Sequence, residues 1–410
     1  MSERPVRDSG LVDLDAFRAL RTARGERVLA EVSAWGTGGA SLLATVSVLR
    51  RSYPADLVAA AVTQVRLRDR GRAKFGPDAA RMFFTPDGVE QATRTAVAAH
   101  RARRYADASR APGRALDRVL DLCCGIGGDL IALARAGVTV QGLDHDPVTV
   151  EVARANAEVL GLADRVSVEC GDVQRVELAG WPAAFCDPGR RGNGRRVFDP
   201  AAYSPPFDFL PVLAAAVPLT GAKVAPGIPH SLVPAGAEAE WVSDAGEVKE
   251  AALWWGGLAT ARRRATLLPG GHTITDTGAI AATGPVGGYL VEPDGAVIRA
   301  GLVAEVAVTI GGRLIDPTIA YLTTDGPVRT PFATMYAVTD VLPFSLKRLR
   351  ELLRRRGIGT VTVKKRGSAV DPVLLRRELR LSGDGHATVV LTRVAGAPTA
   401  LLVEPIGRRA

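Results

Sequence analysis

Residues 119–133, VLDLCCGIGGDLIAL, begin as a short apolar run, turn through glycines and continue with helical spacing. No other stretch restricts the fold as strongly. A strand that feeds a helix returns to its sheet by a crossover, so the next strand runs parallel and the sheet is covered on both faces. The alternation continues downstream. The helix ends at Gly137, the strand VTVQGLD follows, and Asp146 and Pro147 supply an N-cap and first helical residue for VTVEVARANAEVLG. RVSVECGD, PAAFCDP and GAKVAPG add three strands. Repeated βα units of this kind predict an α/β fold with a Rossmann-like parallel sheet. A ligand is expected at the carboxyl ends of its strands, where a glycine turn lets backbone N–H groups approach.

The rest of the chain divides around this sheet. Residues 1–112 read as a helical domain, with apolar residues three and four apart in DLVAAAVTQVRLRDRGRAKF and PDGVEQATRTAVAAHRARRYA. Residues 113–273 hold the sheet, which is expected to close on an antiparallel pair, EVKEAALWWG with RRRATLLPG. A Gly-, Thr- and Pro-containing stretch leads into a small α+β unit at 274–341. Residues 342–410 form a last, basic unit: helix, strand, basic turn, helix and two alternating strands, HATVVLTRV and PTALLVEPI.

Charge bears on the partner. The formal charge of +9 and a pI near 9.8 favour a polyanion, although a surface rich in arginine accounts for them equally. No apolar run approaches the roughly 20 residues of a membrane span, and MSERPVRDSGLVDLDAF has no apolar signal core. Cys123, Cys124, Cys170 and Cys186 lack CxxC spacing, and with five scattered histidines they make no recognisable metal site. The expectation is a cytoplasmic protein with reduced thiols, no metal and no membrane partner.

Gly125 and Gly127 follow the first strand, but Leu130 stands where a dinucleotide fingerprint has its third glycine. No GK[ST] occurs, which excludes a P-loop. The acids are more telling. Asp121 lies in the first strand, Asp144 ends the second, Asp172 the third and Asp187 the fourth, in CDPGRRG. A carboxylate at a strand end can accept both hydroxyls of a ribose or the amino group of a base. An NAD-binding sheet shares Asp144 but has no use for GD or DPGRR. The series resembles that of the class I S-adenosylmethionine-dependent methyltransferases. This resemblance implies S-adenosyl-L-methionine as cofactor. It places Asp121, Gly125 and Gly127 at the methionine end, Asp144 at the ribose, Asp172 at the adenine and His145 against the adenine face. Upstream, MFFTPDGVEQAT resembles the F/Y-T-P segment that contacts cofactor in methyltransferases of the adenine amino group, which adds Thr85 and Pro86. A plain N-cap and first helical residue is the other reading of that pair.

Methyl transfer from a sulfonium is an in-line displacement, so an enzyme for it positions donor and acceptor and stabilises changing charge. Asp187 and Pro188 occupy the place of the N/D-P-P-Y motif of amino-methyltransferases, whose acid and proline carbonyl orient an exocyclic amine. Here Gly189 and Arg190 replace the second proline and the aromatic, so stacking on a base falls to Phe198, Tyr203 or Phe207. DPGRRG also resembles the DPPR-x-G of uracil carbon-5 methyltransferases. The following strand, AKVAPGIPH, carries no cysteine for attack on the ring, and Cys186 is expected to point away from Asp187. Arg190 and Arg191, with Arg195 and Arg196, either grip phosphates flanking a target nucleotide or remain a solvated loop paired with acids such as Asp199.

The stretch LPFSLKRLRELLRRRGIGTVTVKKRGSAVDPVLLRRELRLSG resembles the THUMP-like domain that follows a methyltransferase and a small ferredoxin-like domain in one bacterial family. VTVKKRG and IDPTIAYL are its most specific strings. On that resemblance, 274–341 is ferredoxin-like and 342–410 THUMP-like. Lys347, Arg348, Arg350, Arg354, Arg355 and Arg356 on one helix, beside a turn of Lys364, Lys365 and Arg366, suit a phosphate backbone. Few aromatics are exposed for stacking, which favours structured RNA over single strands. Three functions compete: a methyltransferase for a base of tRNA or rRNA, acting at nitrogen; an RNA-binding or assembly protein with a weakly active core; and a methyltransferase for a small molecule or protein.

Overall fold

The computed structural model describes residues 14–35, 46–110, 116–189, 191–192, 195–196 and 202–406. They fall into two compact units. The first takes the chain to Ala225 and includes His230–Ala237 and Ala252–Thr260; the second holds Pro226–Pro229, Glu238–Ala251 and the chain from Ala261 onward.

In the first unit, helices α1 (Leu14–Leu20), α2 (Ala23–Trp35), α3 (Ala55–Phe75), α4 (Pro86–Gln91) and α5 (Thr95–Ser109) precede the sheet. The chain then runs β1 (Arg118–Leu122), α6 (Gly128–Arg135), β2 (Thr139–Asp144), α7 (Pro147–Val159), β3 (Val166–Cys170) and β4 (Ala183–Cys186). The two-residue strands β5 (Arg191–Gly192) and β6 (Arg195–Arg196), α8 (Phe209–Ala216) and β7 (Leu219–Val224) follow. The five long strands are parallel, in the order β7-β4-β1-β2-β3. The sheet therefore grows outward from β1 to β3, then resumes on the other side of β1 with β4. The loops after β1 and β4 part at this switch point, where open α/β sheets bind ligands. This is the Rossmann-like parallel sheet that the βα alternation predicts.

Local chemistry sets the boundaries. Asp146 caps α7, its side chain accepting from the Val148 and Thr149 N–H groups at 3.3 and 3.2 Å, with Pro147 in the first turn. β4 is buried at every position, as a central parallel strand must be. The helices of residues 14–110 share one hydrophobic core with this sheet. The Tyr105 hydroxyl of α5 donates to the Ala184 carbonyl at 2.7 Å, and its ring meets Trp254 edge-on at 6.0 Å. Arg101 lies 4.2 Å over the Phe185 ring and pairs with Asp129 in the first turn of α6.

The second unit opens with β8 (Glu238–Asp244), β9 (Glu247–Trp254), β10 (Arg263–Leu268) and β11 (His272–Thr275), in the order β11-β10-β8-β9. The expected pairing of EVKEAALWWG with RRRATLLPG does not form. β9 instead turns back on β8 through Ala245 and Gly246, both at positive φ, and β10 pairs in parallel with the other side of β8. β8, EAEWVSD, is a strand outside the expected set; its glutamates alternate with apolar residues. Both are buried and satisfied: Glu238 accepts from Arg264 Nε at 2.7 Å and the Ala261 N–H at 2.9 Å, and Glu240 from the Thr266 hydroxyl at 2.6 Å.

The remainder runs β12 (Tyr289–Pro293), α9 (Gly295–Ala300), α10 (Val303–Ile310), β13 (Arg313–Leu314), β14 (Leu322–Thr324), β15 (Ala333–Pro343) and α11 (Leu346–Arg355). It ends with β16 (Ile358–Lys365), α12 (Pro372–Leu379), β17 (Gly385–Val394) and β18 (Ala397–Pro405). Seven strands make one sheet, β13-β14-β12-β15-β18-β17-β16. β15 runs through residues 341 and 342 and pairs with β12 and β18, so the stretches expected as separate ferredoxin-like and THUMP-like domains build a single sheet. Leu349, Leu353, Leu375 and Leu379 bury one face of α11 and α12 against it. Among the described residues no helix is long and apolar enough to cross a membrane.

β7 passes beneath the Tyr105–Trp254 pair at Gly221, where a Cβ would lie 2.6 Å from the Tyr105 hydroxyl and 2.7 Å from the Trp254 ring. Gly221→Ala should therefore destabilise the protein by about 1–3 kcal/mol, the usual result of overpacking. Adding Tyr105→Phe, which removes the nearest atom, should return part of the lost melting temperature.

Candidate active site

A cleft of about 970 Å³ opens at the carboxyl ends of β1, β2 and β4. Its floor is the glycine turn. Gly125 and Gly127 take φ of 55° and 90°, left-handed values that favour glycine, and Cys123 shares that region at 60°. Asp144 fixes the turn from the end of β2. One of its carboxylate oxygens accepts from the Gly125 N–H at 3.0 Å, the other from the Asp146 N–H at 3.1 Å. His145 stands at the exposed rim, Nδ1 3.3 Å from Asp144.

Asp121 lines the cleft from β1 and is buried, with neither carboxylate oxygen hydrogen-bonded. Burial raises its carboxyl well above the ordinary range, and the charges of Asp129 and Asp187 add to the effect. Asp187 follows β4. Its Oδ2 accepts from Lys223 Nζ at 2.7 Å, and the same ammonium donates to Thr93 Oγ1 at 3.1 Å. Pro188 and Gly189 continue the wall, and Gly189 exchanges two backbone hydrogen bonds with Ser204.

The FTP segment reaches the cleft as well. Thr85 caps α4 by accepting from the Gly88 N–H at 2.9 Å, with Pro86 in the first turn, and Thr85 also lines the cavity. Two buried amides hold it there. Asn156 of α7 accepts from the Phe83 N–H at 2.7 Å and donates to the carbonyls of Phe83 (3.1 Å) and Ile126 (2.9 Å), tying this segment to the glycine turn. Gln64 of α3 makes the same paired bonds with Phe84. Sequence reasoning missed both amides and Lys223. The available signal was a polar residue on an otherwise apolar face, as in VARANAEVL and LTGAKV.

Other expected residues stand apart. Asp172 is exposed, accepts from the Gln174 N–H and lies 3.5 Å from Arg175, and it is not among the residues lining the cleft. Gly127 and Pro86 flank the cavity without lining it. Tyr203 is buried, which removes it as a stacking platform, and Phe207 is half-buried outside the cleft. Arg190, Phe198 and Asp199 lie outside the described residues, as do the side chains of Arg191, Arg195 and Arg196. Cys186 is fully buried and burial raises its thiol, whereas Cys123 lines the cleft. Among the described residues no group of His, Cys, Asp or Glu could hold a metal ion.

The basic turn is partly engaged within its own unit. Lys364 and Lys365 end β16, and two of the three cations are occupied by their own sheet. Lys364 pairs with Glu292 and lies 5.3 Å over the Tyr336 ring. Burial alone would lower its ammonium, but the hydrogen bonds to Glu292 and Tyr336 outweigh this and raise it. Arg366 donates to the Ala320 carbonyl at 2.6 Å and lies 4.7 Å over Tyr321. Lys365 is exposed and donates to the Val370 carbonyl. On α11 and α12, Arg350 and Arg354 donate to the Glu378 and Arg380 carbonyls, and Arg356 pairs with Asp340. Lys347, Arg348, Arg355, Arg376 and Arg377 are exposed.

Comparison with known proteins adds the following. Residues 116–206 match a family model described as RNA cap guanine-N2 methyltransferase, 333–405 one described as THUMP domain-like, and 13–71 a domain of unknown function. An uncharacterized S-adenosylmethionine-dependent methyltransferase of Mycobacterium tuberculosis is 37% identical over 344 residues, spanning 80% of this chain and 90% of the relative. A 23S rRNA uracil-C(5)-methyltransferase of Cupriavidus metallidurans is 35% identical over 120 residues, 27% of this chain and 25% of its own. A solved structure from Porphyromonas gingivalis, of a protein assigned as a methyltransferase, shares the fold with a TM-score of 0.69 at 22% identity over 96% of both chains.

Asn156→Ala should cost on the order of 3 kcal/mol in urea unfolding, because three buried backbone groups lose their partner. An unchanged midpoint would show that the amide does not hold the two segments together.

Proposed function

Because the chain belongs to the S-adenosylmethionine-dependent methyltransferases, we propose that it methylates a nitrogen on a base of structured RNA, tRNA or rRNA. S-Adenosyl-L-methionine is the cofactor, and when bound it supplies an electrophilic methyl group on a sulfonium. The observation that carries the acceptor reading is Asp187, which lines the same cleft as the glycine turn with Pro188 beside it.

The cleft residues fit this cofactor. Asp121 presents two buried oxygens without partners, a site for the ammonium of the methionine end. Each Asp144 oxygen already takes one backbone N–H and keeps a lone pair for a ribose hydroxyl. Gly125 lets the backbone approach, with Gly127 completing the turn beside it, and Thr85 and His145, which line the cleft, are read as contacts to the adenine. Asp187 and the Pro188 carbonyl accept hydrogen bonds from an exocyclic amine, which orients its lone pair toward the methyl group. The guanine-N2 model, matching 116–206, supports nitrogen as the acceptor atom.

Charge supports RNA. Residues 346–380 hold twelve Lys and Arg against three acids, a net +9 equal to the formal charge of the whole chain. The exposed cations of α11 and α12 in this segment form a face suited to phosphates. The THUMP-like match and the rRNA-modifying relative support the same class of partner. Arg190 and Arg191 belong to this reading as contacts to the phosphates beside the target base.

Two outcomes are expected. Asp121 has a raised carboxyl, so a bound ammonium should lower it and release a proton. Cofactor affinity should then rise with pH while the free protein's carboxyl is protonated and level off once that carboxyl is itself ionised. Calorimetry in buffers of different ionisation enthalpy reads this directly. Asp121→Asn should abolish the pH dependence and weaken binding about ten- to a hundredfold, the worth of a hydrogen bond to a charged group.

For the acceptor, purified enzyme should transfer label from the cofactor to total RNA of a strain lacking this protein, and Asp187→Ala should abolish transfer. Alanine at Lys347, Arg348, Arg376 and Arg377 should flatten the salt dependence of RNA binding by about 0.7–0.9 in log–log slope per lost phosphate contact. Alanine at Lys364 and Arg366 should instead lower the melting temperature. Label found only on protein or small molecules would overturn the RNA reading.

A further inference from the structure

Among the described residues, six aspartates line one cleft: Asp87 lies in the first turn of α4, Asp146 caps α7, and the other four are Asp121, Asp129, Asp144 and Asp187. Their surroundings differ. Asp129 pairs with Arg101, Asp144 is held by backbone N–H groups, and Asp121 has no partner. Asp187 pairs with Lys223, whose side chain is only 7% exposed. β4 and β7 pair in parallel with Cys186 opposite Ala222, so the next residues on each strand, Asp187 and Lys223, stand level at the cleft.

Every residue of β7 is buried, and an ammonium there is costly unless its hydrogen bonds are made. Lys223 makes two, to Asp187 Oδ2 and Thr93 Oγ1. The other Asp187 oxygen, Oδ1, takes no hydrogen bond from the described residues. Thr93 is itself buried, and its backbone packs against the glycine turn, lying 3.6 Å from where a Gly128 Cβ would be. The ammonium therefore bridges the segment before α5 to the acid after β4.

We propose that Lys223 is a positioning residue for methyl transfer: it holds Oδ2 of Asp187, with Thr93 fixing the ammonium in turn, so that Oδ1 is presented to the N–H of the acceptor. This rests on the reading of Asp187 as the acceptor-binding acid. The pairing has a second consequence. It withdraws Asp187 from competition for the positive charge of the cofactor, which falls to Asp121.

The test uses full-length wild type, Lys223→Met, Lys223→Arg, Asp187→Asn and the Lys223→Met/Asp187→Asn double variant. Turnover on RNA at saturating cofactor should fall about a hundredfold in Lys223→Met, as for a misplaced reacting group. Cofactor affinity by calorimetry should stay nearly unchanged. Lys223→Arg should recover part of the loss, since a guanidinium still donates to Oδ2. Lys223→Met added to Asp187→Asn should cost little beyond Asp187→Asn alone, because Lys223 acts through that acid. Melting temperatures give a readout independent of RNA: Lys223→Met strands a carboxylate and should melt lower than the double variant. Turnover losses that multiply, cofactor affinity that falls in proportion to turnover, or additive melting shifts would each overturn the proposal. If wild type modifies no RNA, the RNA reading fails by itself, and the melting cycle still decides whether Lys223 acts through Asp187.

Discussion

Carboxylates converging on one cleft must be balanced, or the cleft cannot persist in a sheet whose central strands are buried. In this protein the balance is divided among different partners. Arg101 arrives from α5 to meet Asp129, Lys223 arrives from β7 to meet Asp187, and backbone N–H groups of the glycine turn meet Asp144. Asp121 is left over. An unpartnered buried carboxylate is unfavourable, and a cationic ligand would relieve it, which is the ground for the cofactor role proposed for Asp121.

This balance explains why the N-terminal helices pack into the same core as the sheet. Arg101 and Tyr105 of α5 reach Asp129 and Ala184, Gln64 of α3 holds Phe84, and Thr93 supplies the second partner of Lys223. A helical domain independent of the sheet would leave these groups buried without partners. The helices therefore build one wall of the site.

The second unit shows a different use of charge. Its cations separate into those that hold the seven-stranded sheet together and those that face solvent. Lys364 and Arg366 belong to the first kind, spread over Tyr336 and Tyr321 and paired with Glu292. The exposed cations of α11 and α12 belong to the second, because the leucine stripe of each helix fixes which face turns outward. A run of basic residues in a sequence does not distinguish the two.

The sequence alone determined the parallel sheet, the order of its βα units, the capped start of α7 and the acids at the ends of β1, β2 and β4, because strand period, N-cap chemistry and glycine turns act within a few residues. It also marked Thr85, through the local logic of a capped helix start. What it could not reach were bonds between distant residues. Lys223 and Asp187 are 36 positions apart, Asn156 and Phe83 are 73, and Lys364 and Glu292 are 72. The two glutamates of β8 are buried because Arg264 and Thr266 supply partners 26 residues on. Asp172 keeps its place in the series, but it is exposed, accepts from its own turn and is not among the residues lining the cleft. Tertiary structure decided each of these, because a charge or an amide is buried only where the fold brings it a partner.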